Sequence, residues 1–172
     1  LRVPNAGGLT AAGKAPHIAR RPLLPPYAVF EEWRFFDPAV EAAPVPSRGR
    51  KLGLSFCEAF WNDAVFWPHR LYRGDPIETL VRAGAEIILN ISASPYTMQK
   101  RHLRPRMLAA TASRWQRPLL FVNQVGGQDD LVFDGASMAF DAAGRGIARG
   151  AEHDVDLVMV DVAAGRGTVA PF

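Results

Sequence analysis

Lys51-Leu52-Gly53-Leu54-Ser55-Phe56-Cys57-Glu58-Ala59-Phe60-Trp61 is the stretch whose reading decides the fold. A short apolar run that follows a loop, here Pro44 to Arg50, reads as a buried strand. Cys57, the one cysteine of the chain, closes that strand, and a carboxylate follows at once. A thiol at such a point is where α/β enzymes hold a nucleophile. The strand fixes its position, and the turn after it leaves the sulfur and nearby backbone N–H groups facing a pocket. The same thiol also suits a small buried core position, and a lone cysteine is a weak signal without partners.

Downstream of Cys57 the pattern is regular. Asp75-Pro76-Ile77-Glu78 predicts a helix start, with Asp75 as N-cap, Pro76 at the first helical position and Glu78 returning a bond. Gly84 suits the end of that helix. Glu86 to Asn90 reads as a second buried strand, so strand, helix and strand follow in the order that favours parallel pairing. A second helix is expected over about Gln99 to Arg114, turning Leu103, Met107, Leu108 and Ala110 inward and interrupted or kinked at Pro105. Leu119 to Asn123 is a third strand. Short strands at Leu131–Phe133, Ser137–Phe140 and Gly146–Ala148 follow, separated by Asp134-Gly135 and Ala143-Gly144 turns. Asp156 to Val160 reads as a closing strand with a loose tail beyond Asp161. Upstream, residues 1–50 are rich in Gly, Pro and Ala, which predicts loops with short extended pieces at best.

The totals narrow the function classes. A chain of 172 residues, 48% apolar and 22% charged, suits one soluble globular domain. No apolar run approaches the roughly 18 residues of a membrane span. A single cysteine makes no internal disulfide, which fits a cytoplasmic setting. The net charge of +3 includes Arg20, Arg21, Lys100, Arg101, Arg104 and Arg106. Acidic residues are spread among them without an aromatic–basic pattern, so nucleic-acid binding is not expected. His17, His69, His102 and His153 lack metal-ligand spacing, and no metal site is expected. The start, Leu1-Arg2-Val3-Pro4-Asn5, has neither an initiator Met nor a signal-peptide pattern, which suggests a fragment.

Four runs, in order, carry a resemblance. They are Leu24-Pro25-Pro26-Tyr27-Ala28-Val29-Phe30-Glu31-Glu32, Cys57 to Trp61, Asn90-Ile91-Ser92-Ala93-Ser94-Pro95-Tyr96, and Asn123 to Asp129 continuing through Phe133-Asp134-Gly135. Together they closely resemble the glutaminase domain of glutamine-dependent NAD synthetases, a branch of the nitrilase (carbon–nitrogen hydrolase) superfamily. The resemblance implies an α/β fold, the nitrilase-like four-layer α-β-β-α sandwich, here incomplete at its N-terminus. Residues 1–172 then form one partial carbon–nitrogen hydrolase domain, without the ATP-binding synthetase domain.

The family uses a Glu–Lys–Cys triad. Cys57 falls on its nucleophile, which attacks the side-chain amide of glutamine, releases ammonia and leaves a thioester for water to hydrolyse. A nearby cation is needed to keep the thiol ionised, and the Glu58 N–H faces the developing oxyanion. Glu32 matches an accessory glutamate beside the cysteine; a solvated loop charge is the alternative. Tyr27, Glu58, Ser94 and Lys100 fall on glutamine-contacting positions, with Glu58 suited to the α-amino group and Lys100 to the α-carboxylate. Ser94 is equally suited to capping the helix that follows. Phe60 and Trp61 fit either a pocket wall or core packing.

Three departures stand out. The position of the catalytic lysine holds Arg21, which stabilises charge but is too basic to pass protons. The usual Cys-Glu-Asp is Cys57-Glu58-Ala59, and no glutamate precedes Glu31 to serve as the triad's base. Gly126-Gly127-Gln128-Asp129 is not an ATP loop, since a strand rather than a helix is expected after it. No cofactor is therefore expected in this chain; ATP and the nicotinic-acid dinucleotide belong to the absent synthetase domain. The expected partners are glutamine, an ammonia-using NAD synthetase domain and further copies of the chain in a homo-oligomer. Activity of this copy is expected to be impaired. A nitrilase-type amidase for another amide and a non-catalytic scaffold are the alternative readings.

Overall fold

Strand pairing begins earlier than the Gly, Pro and Ala content predicts. The computed structural model describes residues 3–11, 14–24, 32–39, 42–62, 66 and 74–169. They fall into two units, residues 1–86 and 87–172. In the first unit β1 (Val3–Pro4) is followed by β2 (Ala6–Ala11) and β3 (Lys14–Arg20), an antiparallel hairpin with Ala6 opposite Arg20 and Leu9 opposite His17. This hairpin corrects the expectation of short extended pieces. Its small residues have weak strand propensity, so it is made by pairing rather than by local preference. β4 (Phe36–Asp37) runs parallel to β1.

β5 (Val45–Ser47) and β6 (Arg50–Phe56) form a second hairpin, with Ser47 opposite Arg50. Its two loop residues, Arg48 and Gly49, both have positive φ, 48° and 79°. That backbone matches the twist of the flanking strands. Gly53, Leu54, Ser55 and Phe56 are all buried, as expected of an apolar strand. A 3-10 turn, Cys57–Asn62, follows directly.

α1 (Pro76–Arg82) is closed by local chemistry at both ends. Asp75 Oδ1 accepts the N–H groups of Ile77 and Glu78 at 3.0 and 3.1 Å. At the other end Gly84 N–H donates to Val81 O and Ala85 N–H to Leu80 O, with Gly84 at φ +94°. These two bonds make a Schellman motif, which needs a left-handed residue where Gly84 stands. Glu78 departs from expectation: its carboxylate takes Arg82 Nε at 2.9 Å, one turn on, rather than returning to the cap.

In the second unit β7 (Ile87–Ser92), α2 (Lys100–Trp115) and β8 (Leu119–Asn123) form a strand–helix–strand unit. β7 and β8 pair in parallel from Ile88 opposite Leu119 to Ser92 opposite Asn123. β9 (Val125–Gln128) and β10 (Leu131–Asp134) make a separate hairpin. β11 (Met138–Phe140) pairs antiparallel with both β8 and β12 (Gly146–Arg149). Ile88, Asn90, Ser92, Leu119, Phe121 and Asn123 are buried, and the Arg104 guanidinium of α2 lies 5.7 Å from the Phe121 ring centre. α2 therefore packs on that face of the ladder.

α2 runs unbroken through Pro105, which corrects the expected interruption. Its buried stripe is Arg104, Met107, Leu108, Thr111 and Ala112, whereas Ala110 is exposed. The β11–β12 turn is tight against this helix. A Cβ on Gly144, at φ +80°, would lie 2.5 Å from Ala109 O. The end of the chain needs two further corrections. Of the expected closing strand, Asp156 to Val160, only Val160 lies in a strand, β13 (Val160–Asp161), and its partner β14 (Arg166–Gly167) lies in the supposedly loose tail. Gly167 allows this, because a Cβ there would stand 2.5 Å from Met159 O.

Candidate active site

The end of β6 fixes Cys57, the first residue of the 3-10 turn, and its side chain is half-buried. Its φ of +23° is unusual for a residue with a Cβ. Such strain persists only where the surrounding structure enforces it, and it clusters at functional sites. The backbone reversal comes from the sequence: a buried strand ends at Phe56 and Ala59 and Phe60, 3% and 1% exposed, return into the core.

Arg21 and Glu32 are brought together in the same unit. Arg21 Nη1 donates to both Glu32 oxygens, at 2.8 and 2.7 Å. The arginine side chain is 8% exposed and that of Glu32 21%. Asn5 Nδ2 adds a third hydrogen bond to Glu32 at 3.1 Å. The arginine backbone is fixed on both sides, its N–H donating to Asn5 O at 2.7 Å and its carbonyl accepting Ala39 N–H at 2.9 Å. Arg21 Nε is buried with no hydrogen-bond partner among the described residues. Chemically, the guanidinium is a fixed donor whose charge the Glu32 carboxylate offsets. It can hold a developing anion but offers no transferable proton from the arginine.

Ser94 and Lys100 lie in the second unit. Ser94 is buried, 2% exposed. Its N–H donates to Asn123 Oδ1 at 2.9 Å, and Arg104 Nη2 lies 3.5 Å from its hydroxyl. The helix begins six residues later, at Lys100 with Gln99 as N-cap, so the capping alternative for Ser94 is set aside. Lys100 is half-buried at the first position of α2. Tyr27 lies outside the described residues, as does the side chain of Glu58.

Two groups were missed by sequence reasoning. Asn5 holds Glu32 from β1's end of the chain, and no local signal marks it. The other is a buried network: Arg104 Nη1 and Nη2 bond Asp134 at 2.9 and 3.1 Å, and Asn123 Nδ2 reaches Asp134 Oδ1 at 3.3 Å and Gly135 O at 2.9 Å. Arg104 and Asp134 are 1% and 2% exposed. A signal did exist, since residue 104 falls on the buried stripe of α2, where a charge needs a partner. Among the described residues, no group of three His, Cys, Asp or Glu could hold a metal ion. No helix among them is long and apolar enough to cross a membrane.

Comparison with known proteins places this geometry in context. The carbon–nitrogen hydrolase family profile matches residues 72–171. A glutamine-dependent NAD(+) synthetase of Synechocystis is 37% identical over 166 residues, 95% of this chain and 30% of the relative. The structure of a glutamine-dependent NAD+ synthetase from Acinetobacter baumannii superposes with a TM-score of 0.82 at 26% identity, covering 98% of this chain and 30% of that one. An amidase of the nitrilase superfamily from Nesterenkonia shares the fold, with a TM-score of 0.61 at 24% identity over 78% of this chain and 46% of its own. The chain thus spans about 30% of the length of the synthetases it matches. Its fold is that of the nitrilase superfamily.

Proposed function

Because the chain belongs to the carbon–nitrogen hydrolase family, we propose that it is glutaminase-domain sequence, its chemistry the hydrolysis of the glutamine side-chain amide at Cys57. The thiolate adds to the amide carbon, and the carbonyl oxygen becomes an oxyanion facing the Glu58 N–H. Collapse expels the nitrogen, which takes a proton from water and leaves as ammonia, and a γ-glutamyl thioester remains. Water then adds to the thioester carbon, releasing glutamate and returning the thiol. Tyr27, Glu58, Ser94 and Lys100 hold the substrate in this reading. The ammonia serves an ATP-dependent amidation that makes NAD in a synthetase domain, and the setting is cytoplasmic.

The observation that carries the reading is the left-handed backbone of Cys57 at the end of a buried strand. Arg21 contributes a fixed cation that favours the thiolate. It cannot protonate the departing nitrogen, and Glu32 is bound to it, so turnover in this copy is slow. That same ion pair favours a second reading, a scaffold that keeps the fold without the reaction. Treatment of the 172-residue chain with a diazoketone analogue of glutamine, followed by mass spectrometry, separates the two. The glutaminase reading requires an adduct on Cys57 that excess glutamine suppresses. Labelling no faster than that of a small free thiol would overturn it.

A further inference from the structure

Asn123 of β8 and Arg104 of α2 both reach Ser94, and Asp134 of β10 bonds the two of them to each other. A buried ion pair is a poor way to gain stability, since an apolar pair of the same volume often does as well. What such a pair supplies is fixed direction. Asp134 accepts both guanidinium nitrogens of Arg104 and one proton of the Asn123 amide. With Asn123 Nδ2 turned toward Asp134 and the Gly135 carbonyl, its Oδ1 faces the other way and takes the Ser94 N–H. The remaining edge of the guanidinium faces the Ser94 hydroxyl at 3.5 Å.

The direction of the Ser94 proton follows. A guanidinium only donates, so toward Arg104 the Ser94 hydroxyl presents a lone pair and its own proton points elsewhere. No described residue accepts that proton, although Ser94 is 2% exposed. We infer that Arg104 is a positioning residue that turns the Ser94 hydroxyl into a dedicated donor for an oxygen acceptor, the α-carboxylate of glutamine. This rests on the glutaminase reading and deepens it. Lys100 and Arg104 stand one turn apart on α2, so the helix that brings a cation to the carboxylate also orients the hydroxyl beside it.

Calorimetric titration of the 172-residue chain with L-glutamine and with 4-aminobutanamide, which lacks the carboxylate, tests this. Ser94→Ala leaves the Arg104–Asp134 pair intact and should weaken glutamine binding roughly tenfold, the worth of one bond to a charged group. Binding of 4-aminobutanamide should be unchanged. Arg104→Lys keeps the charge but loses the fork, and it should reproduce the selective loss; the double variant should lose no more than either single one. Equal weakening of both ligands, additive losses, or an unaltered Ser94→Ala would overturn the positioning role alone. Failure of the unsubstituted chain to bind glutamine would overturn the glutaminase reading and this inference with it.

Discussion

At the scale of single residues, the position that matters most is Arg21. Its guanidinium is held by Glu32 through one nitrogen at 2.7–2.8 Å, and its main chain is hydrogen-bonded on either side. Lysine at the same point would supply a movable ammonium whose proton can be transferred. Arg21→Lys is therefore expected to raise glutamine-dependent ammonia release, while Cys57→Ser abolishes it; an unchanged rate in the lysine variant would show that the arginine is not limiting. Removing the charge has a different cost. Arg21→Met leaves Glu32 without its ion-pair partner, and a loss of about 3 kcal/mol in urea-denaturation stability is expected. The sequence singles out Cys57 by its place after a strand, and Arg21 and Glu32 only through the family pattern; the structure adds that the two charged groups pair. Asn5 was not, because an asparagine acting across 27 residues leaves no local trace.

Among the elements, α1 was the most legible, since cap, proline and glycine act within one turn of each end. Asp75→Ala should cost about 1 kcal/mol, read from the shift of the denaturation midpoint at constant slope. α2 was legible in extent but not in face. Its buried stripe includes a charge whose partner lies 30 residues away, so the apolar pattern alone misassigned Ala110. The β2–β3 hairpin and the β13–β14 pair were hidden for a related reason: close approach of small residues makes them, and propensity says little there. One clip between elements predicts a pH response. Glu152 bonds Arg101 of α2 at 3.2 Å and also Arg149 of β12. Burial pushes its carboxyl up, but the hydrogen bonds from Arg101 and Arg149 prevail and hold it below the usual 4.5. A lowered folded value means the stabilisation is complete above about 4.5 and is lost as pH falls through the folded value. Thermal unfolding from pH 7 down to pH 3 should show this loss, and Glu152→Gln should flatten that part of the profile.

The molecule as a whole combines a nitrilase-superfamily fold with a chain that spans about 30% of the synthetases it matches. Its deepest polar network lies under α2, on one face of the β7–β8 ladder. The other face has a different character. Ile91 and Val122 stand opposite each other in the parallel register and are 53% and 58% exposed. Parallel strands are ordinarily covered on both sides, and an uncovered aliphatic pair has a colloidal consequence. Light scattering from the isolated chain should grow with concentration and with added ammonium sulfate, which strengthens apolar contact. Ile91→Lys with Val122→Lys should suppress that growth and quench the fluorescence of an environment-sensitive dye. How the chain behaves at high dilution and how it behaves in a crowded tube are thus two different properties, joined at one pair of branched side chains.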